Sequence, residues 1–242
     1  MPVRAVIFDI GDTLWRLDPL PADLDRRMAD AIVRRAPIDA PRAVALVRAA
    51  LAAARGIVAD GRNIEPDIAE TILWQAGAAG IALPRPAAVA AAEALGSADI
   101  GRLISRPEPA AVLARLRGLG LRVGLLSNTW TPTAMLRAFV EREGALVHVQ
   151  AATFSSAEGL RKPHPDLYGR ALQRLRVDAA DALFVGDRVY EDVLGPQAVG
   201  MRAALSHEHR QDRPRSAHPE AVIGSLREVI DLVLRLNSAS DG

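Results

Sequence analysis

The sequence predicts an α/β fold, a doubly wound parallel sheet carrying a helical insertion, and three observations lead there. From Pro109 onward helical and strand-like segments alternate. A strandless stretch, 17–104, separates the first strand from that series. Several apolar runs end abruptly in polar residues followed by turn-forming ones. Alternation implies parallel strands joined by right-handed crossovers. Polar groups at the carboxyl ends of such strands collect in the crevice where open α/β sheets bind ligands.

Val3 to Ile10 is short and β-branched and reads as a buried strand ending at Asp9. Asp23–Arg35, Ala40–Ala54, Asp67–Gly77 and Pro86–Ala94 read as amphipathic helices broken by Pro or Gly. Together they form an insertion over 17–104, leaving 1–16 and 105–242 as the sheet domain. The later series pairs helix Ala110–Leu119 with strand Leu121–Ser127, helix Thr133–Glu143 with strand Val147–Phe154, and helix Pro165–Leu175 with strand Ala182–Val185. Helix Glu191–Val199, strand Arg202–Leu205 and helix Leu226–Leu236 complete it, with Ser206–Pro219 as a surface loop.

Composition narrows the classes. The 242 residues are 50% hydrophobic and 24% charged, which suits one large α/β domain with an insertion. A net charge of +1 gives no argument for nucleic acid or an anionic membrane. The absence of Cys excludes disulfides, thiol nucleophiles and thiolate metal sites. With no signal-peptide pattern and no run long enough to span a bilayer, the expectation is a cytoplasmic monomer or homodimer without nucleic-acid or membrane partners. Of the 30 basic residues 29 are Arg; Lys162 stands alone, and an ammonium is not interchangeable with a guanidinium at a tight site.

Four strand-end or helix-start groups are candidates for chemistry. Asp9 lies in Phe8-Asp9-Ile10-Gly11-Asp12-Thr13-Leu14, and taken alone it could equally cap the next turn. Ser127-Asn128 follows the second strand, Lys162-Pro163 precedes a helix, and Gly186-Asp187 leads on to Asp192. In this order the set resembles the haloacid dehalogenase-like hydrolase superfamily, in its subgroup with a helical cap after the first strand.

The resemblance implies specific roles. Asp9 would be a nucleophile towards a phosphate monoester, and Ser127, Asn128 and Lys162 would bind the phosphoryl group. Mg²⁺ would be held by Asp9, the Gly11 backbone carbonyl and Asp187, with Asp192 as a further ligand or a supporting partner. The substrate would be a small phosphorylated metabolite selected by the cap. One position departs from the pattern: Gly11 stands where phosphatases of this family carry a second Asp as general acid, and Asp12 is read as supporting the loop. A 2-haloacid dehalogenase using the same nucleophile is the competing enzyme, although it would not need the acidic fourth motif. A low-activity regulatory relative is the third reading. His207 and His209, and the tract Arg210 to Arg215, read as solvated loop; Trp15 and Trp130 could wall the substrate or pack in the core.

Overall fold

The computed structural model describes residues 2–213 and 217–239. Six parallel strands form one sheet in the order β3-β2-β1-β4-β5-β6. They are β1 (Ala5–Phe8), β2 (Arg122–Ser127), β3 (Ala151–Phe154), β4 (Ala182–Gly186), β5 (Arg202–Ser206) and β6 (Ala221–Ile223). β1 lies centrally between β2 and β4, with Phe8 beside both Leu125 and Val185. Every β1 residue is buried, as the apolar run requires of a strand covered on both faces. Val6 and Phe8 enter one core and Ala5 and Ile7 the other, following the two-residue alternation of a strand. Strand order reverses between β1 and β4, so the crevice of a doubly wound sheet falls where these two strands end.

Four helices are inserted between β1 and β2: α1 (Leu24–Val33), α2 (Ala40–Ala59), α3 (Ile68–Ala78) and α4 (Arg85–Gly101). Asp39 and Asp67 cap α2 and α3 by accepting from the Arg42 and Glu70 amides. The four helices have their own core, built from Met28, Ile32, Leu46, Val47, Ile72, Leu95 and many alanines. α2 and α4 outrun their expected ends because Gly56 and Gly96 do not stop them. At Gly96 a Cβ would meet Pro132 at 2.7 Å, so this glycine lets α4 press against the segment after β2.

The sheet's remaining cover is α5 (Glu108–Gly118), α6 (Thr133–Arg142), the short α7 (Ser155–Glu158), α8 (Pro165–Leu175), the short α9 (Gly195–Ala198) and α10 (Glu228–Ser238). Three expectations need correction. The strand expected over Val147–Phe154 begins only at Ala151, because Leu146–His148 forms a 3₁₀ turn with Val147 83% exposed. The helix expected over Glu191–Val199 is a π-helical turn, Val189–Leu194, followed by α9. β6 was not anticipated, since three residues carry too short an alternation to register.

The loop after β5 is also not simply solvated. Within it Asp212 accepts from the Val189 amide at 2.9 Å, and its carbonyl lies 2.7 Å from His207 Nε2. Arg210 turns back onto the sheet edge. Pro214 and Arg215, read as part of the same loop, lie outside the described residues.

Candidate active site

The ends of β1, β2 and β4 bring the candidate residues together. Asp9 directly follows β1, its amide bonded to the Val185 carbonyl at 2.9 Å. Asp187 directly follows β4, Ser127 ends β2, and Asp192 lies on the π-helical turn. Carboxylate oxygens of Asp9, Asp187 and Asp192 all lie within 4.8 Å of one another, and all three residues are buried.

Lys162, 1% exposed, sits among them. Its ammonium donates to Asp9 Oδ1 at 2.7 Å and to Asp192 Oδ1 at 2.6 Å. Burial alone would push this amine's pKa down, but the Asp192 and Asp9 charges outweigh that and hold it above the ordinary lysine value. Of three ammonium protons, two are committed and one remains to be offered. Asn128 fixes the lysine from behind: its carbonyl accepts from the Lys162 amide at 2.7 Å and its NH₂ donates to the Lys162 carbonyl at 3.1 Å. The Asn128 side chain thus positions Lys162, and the residue also lines the recess beside Asp9. Ser127 lines the recess beside Asp9, and its hydroxyl has no hydrogen-bond partner among the described residues.

Both Asp192 oxygens are engaged, Oδ1 by Lys162 and Oδ2 by the Arg188 amide at 3.0 Å. The carboxyl lies so close to the β4 end that a Cβ on Gly186 would come within 2.3 Å of it. Only glycine fits there. Asp187 accepts from the Thr13 hydroxyl at 3.2 Å and from Arg210 Nε at 2.6 Å. Burial first, then the neighbouring charges of Asp9 and Asp192, push Asp187 up to about 7. Burial likewise carries Asp192 up to about 6, although Lys162 pulls it back. Three close carboxylates facing one ammonium leave surplus negative charge, and the donors are hard oxygens, so the cluster suits a divalent cation such as Mg²⁺.

The nucleophile loop explains its own departure. Asp12 adopts φ 57°, and its carboxylate accepts from the Leu17 amide and from Arg210, each at 2.9 Å. Asp12 therefore braces the loop. A Cβ at Gly11 would meet Leu17 Cδ1 at 2.5 Å, so a leucine fills the space a side chain there would use. Gly11's own carbonyl accepts no backbone hydrogen bond among the described residues. Trp15 is fully buried edge-to-face on Phe139, and Trp130 packs against the core of the inserted helices, so both serve packing.

Three contributors escaped the sequence reading. Thr13 stood inside the quoted motif without a role. Arg210 lay in a polar, aperiodic tract that carried no signal. The third is a contact from the insertion: segment 63–65 bridges to 159–161, with Glu65 paired to Arg161 at 3.0 Å just before Lys162. Two chain crossings join insertion to sheet at Leu17 and Leu103, which pair antiparallel. A recess of about 620 Å³ around Arg4 and Arg122 opens at the opposite edge, far from these strand ends.

Comparison with known proteins follows the same lines. The haloacid dehalogenase-like hydrolase family model matches residues 3–200. A glyceraldehyde 3-phosphate phosphatase of Pyrococcus abyssi is 40% identical over 96 residues, 38% of this chain and 37% of that protein. A phosphoserine phosphatase of Thermus thermophilus is 33% identical over 51% of this chain and 49% of its own length. In both cases the similarity spans about half of the relative or less. A glyceraldehyde 3-phosphate phosphatase of Methanopyrus kandleri is 27% identical over 97% of this chain and 98% of its own. Among solved structures, a 2-haloacid dehalogenase of Pseudomonas syringae pv. Tomato superposes with TM-score 0.70 at 22% identity, covering 96% of this chain and 99% of its own. A HAD phosphatase of Thermococcus onnurineus gives 0.64 at 22% identity over 96% and 98%. At such identities the structural likeness speaks for the fold alone.

Proposed function

The chain belongs to the haloacid dehalogenase-like hydrolase family, and on that premise we propose a Mg²⁺-dependent phosphatase that hydrolyses a small phosphate monoester through a phosphoryl group carried on Asp9. The observation that carries this reading is the buried trio Asp9, Asp187 and Asp192 gathered around Lys162. The phosphatase names of the similar proteins support it. A metal-free dehalogenase has no cation for these acids to hold, so their clustering favours the phosphatase.

Asp9 Oδ1 is held by Lys162, while Oδ2 has no partner among the described residues and belongs to the nucleophile. Its attack forms an oxygen–phosphorus bond as the ester P–O bond breaks, and the leaving oxygen departs with the electron pair. Water then attacks the phosphorus, releasing inorganic phosphate and the Asp9 carboxylate, with the water's proton passing to solvent. The remaining proton of Lys162 and the free Ser127 hydroxyl bind phosphoryl oxygens as charge develops on them. Asp9, Asp187 and the Gly11 carbonyl, with Asp192 in support, would hold Mg²⁺, which when bound would supply further neutralisation of that charge.

Gly11 offers no proton, so the leaving oxygen takes one from solvent. Because general acid assistance is worth ~10²- to 10⁴-fold, esters with good leaving groups are the better substrates. We take 17–104 as a cap that moves about the Leu17–Leu103 pairing and closes through the Glu65–Arg161 contact.

The test is phosphate release from an aryl phosphate. The expected result is turnover that requires Mg²⁺ and is lost in Asp9→Asn. Metal-independent halide release from a 2-haloacid would replace this reading with the dehalogenase. No turnover across an ester panel, with tight binding of a protein, would replace it with the regulatory one.

A further inference from the structure

The cleft between the inserted helices and the sheet edge holds positive charge that the phosphoryl site does not use. It encloses about 390 Å³, within the range of small-molecule sites. Its acidic groups are already matched: Asp12 with Arg210, Glu65 with Arg161, and Asp99 with Arg102 at 3.1 Å. One arginine of the lining is left over among the described residues. Arg55, exposed on α2, has no hydrogen-bond or ion-pair partner among the described residues. Arg188, by contrast, pairs with Glu191 at 3.7 Å.

Their places differ. Arg188 also lines the inner recess of Asp9 and Ser127, whereas Arg55 lines only the outer cavity, beside Leu51 and Val58. Arg55 therefore shares its wall with apolar Leu51 and Val58, outside the recess that Arg188 shares with Asp9. An unmatched guanidinium over an apolar wall gains most from a carboxylate or phosphate that it can clasp with two N–H groups.

We propose that the substrate is a phosphate monoester bearing a second anionic group, carboxylate or phosphate, and that Arg55 binds that second anion. This rests on the phosphatase reading, and it makes Arg55 a specificity residue supplied by the insertion. Arg188 lies nearer the phosphoryl end and adds to the field that draws in a doubly anionic ligand.

Three esters of one length test it: propyl phosphate, 3-phosphonooxypropionate and propane-1,3-diol bisphosphate. The wild-type protein should show kcat/KM at least ~10-fold higher for one or both doubly anionic esters, the value a single charge-assisted contact would give. Their ratio identifies carboxylate or phosphate as the second anion. Arg55→Gln should bring the preference close to one, chiefly through KM. Calorimetry with 4-phosphonobutyrate, which cannot be hydrolysed, should show the same loss of affinity in Arg55→Gln. Equal kcat/KM for the three esters, or a preference that survives Arg55→Gln, overturns the proposal. If none of these alkyl esters is hydrolysed but the phosphonate binds in an Arg55-dependent way, the anion site stands, and release of phosphate from the aryl ester decides the catalytic reading separately.

Discussion

At the sheet edge, a lysine with 1% exposure is clasped by two carboxylates and held from behind by an asparagine amide. In the inserted helices, by contrast, polar pairs such as Arg48–Asp25 lie on the outside, with the arginine 66% exposed, and the interior is alanine, leucine and isoleucine. The first arrangement is over-determined: Lys162, Asp9 and Asp192 fix one another and are all buried. The second is a packed scaffold whose few cleft-facing polar groups can change without disturbing its core. A residue type therefore carries far more consequence at the sheet edge than in the insertion.

The largest contrast should come from removing one partner of an ion pair in each region. Lys162→Met leaves Asp9 and Asp192 buried without their cation, and about 3–5 kcal/mol of stability should be lost along with turnover. Arg48→Ala in the insertion removes an exposed pair and should cost less than about 1 kcal/mol. Urea unfolding of both variants reads the difference, and similar losses would break the comparison.

A glycine pair gives the next contrast. Gly186→Ala drives a methyl into Asp192 and should destabilise by about 1–3 kcal/mol. Gly56→Ala meets nothing within 4 Å on α2 and should stabilise by about 0.5–1 kcal/mol. Thermal unfolding should thus move in opposite directions for the same chemical change.

The smallest effect concerns the cation. Arg210 holds an oxygen of Asp187 at 2.6 Å and so competes with a metal for it. Arg210→Ala should tighten Mg²⁺ binding by about tenfold, the worth of one partly exposed charged contact. Protons compete as well. Asp187 and Asp192 are raised to about 7 and about 6, so each keeps its proton well above the ordinary carboxylate range. A raised carboxylate costs the fold stability as pH climbs past its ordinary value, and metal affinity disappears as pH falls through 7 and 6. The rise in Tm on adding Mg²⁺ should therefore be larger at pH 8 than at pH 5.5. An equal rise at both would contradict the placement of the cation on these two acids.

The same contrast explains what could be read without coordinates. Asp9, Ser127 and Asp187 sit where apolar runs break at the ends of β1, β2 and β4, so linear order and strand ends sufficed to place them on one edge. Lys162 was visible as the lone lysine among arginines. The insertion announced its helices but not its cleft: in sequence Arg55, Arg62 and Arg85 are equal candidates to reach an anionic substrate, and no local pattern chooses between them. Arg210 reaches Asp12 across 198 residues of chain, a contact that no local pattern encodes. The Gly11 departure was legible, yet its filling by Leu17 depends on how the loop enters the insertion. Asn128 lines the recess as a substrate-binding residue would, and its amide also bonds the Lys162 backbone, a pairing set by the fold rather than by residue type.

The central claim is that phosphate passes through Asp9. Acid-quenching the protein with Mg²⁺ during turnover of an aryl phosphate, then analysing the tryptic peptide Ala5–Arg16 by mass spectrometry, tests it directly. The account predicts one added phosphoryl group on Asp9 that is absent from Asp9→Asn. Turnover of the ester with this peptide unmodified at every quench time would contradict it.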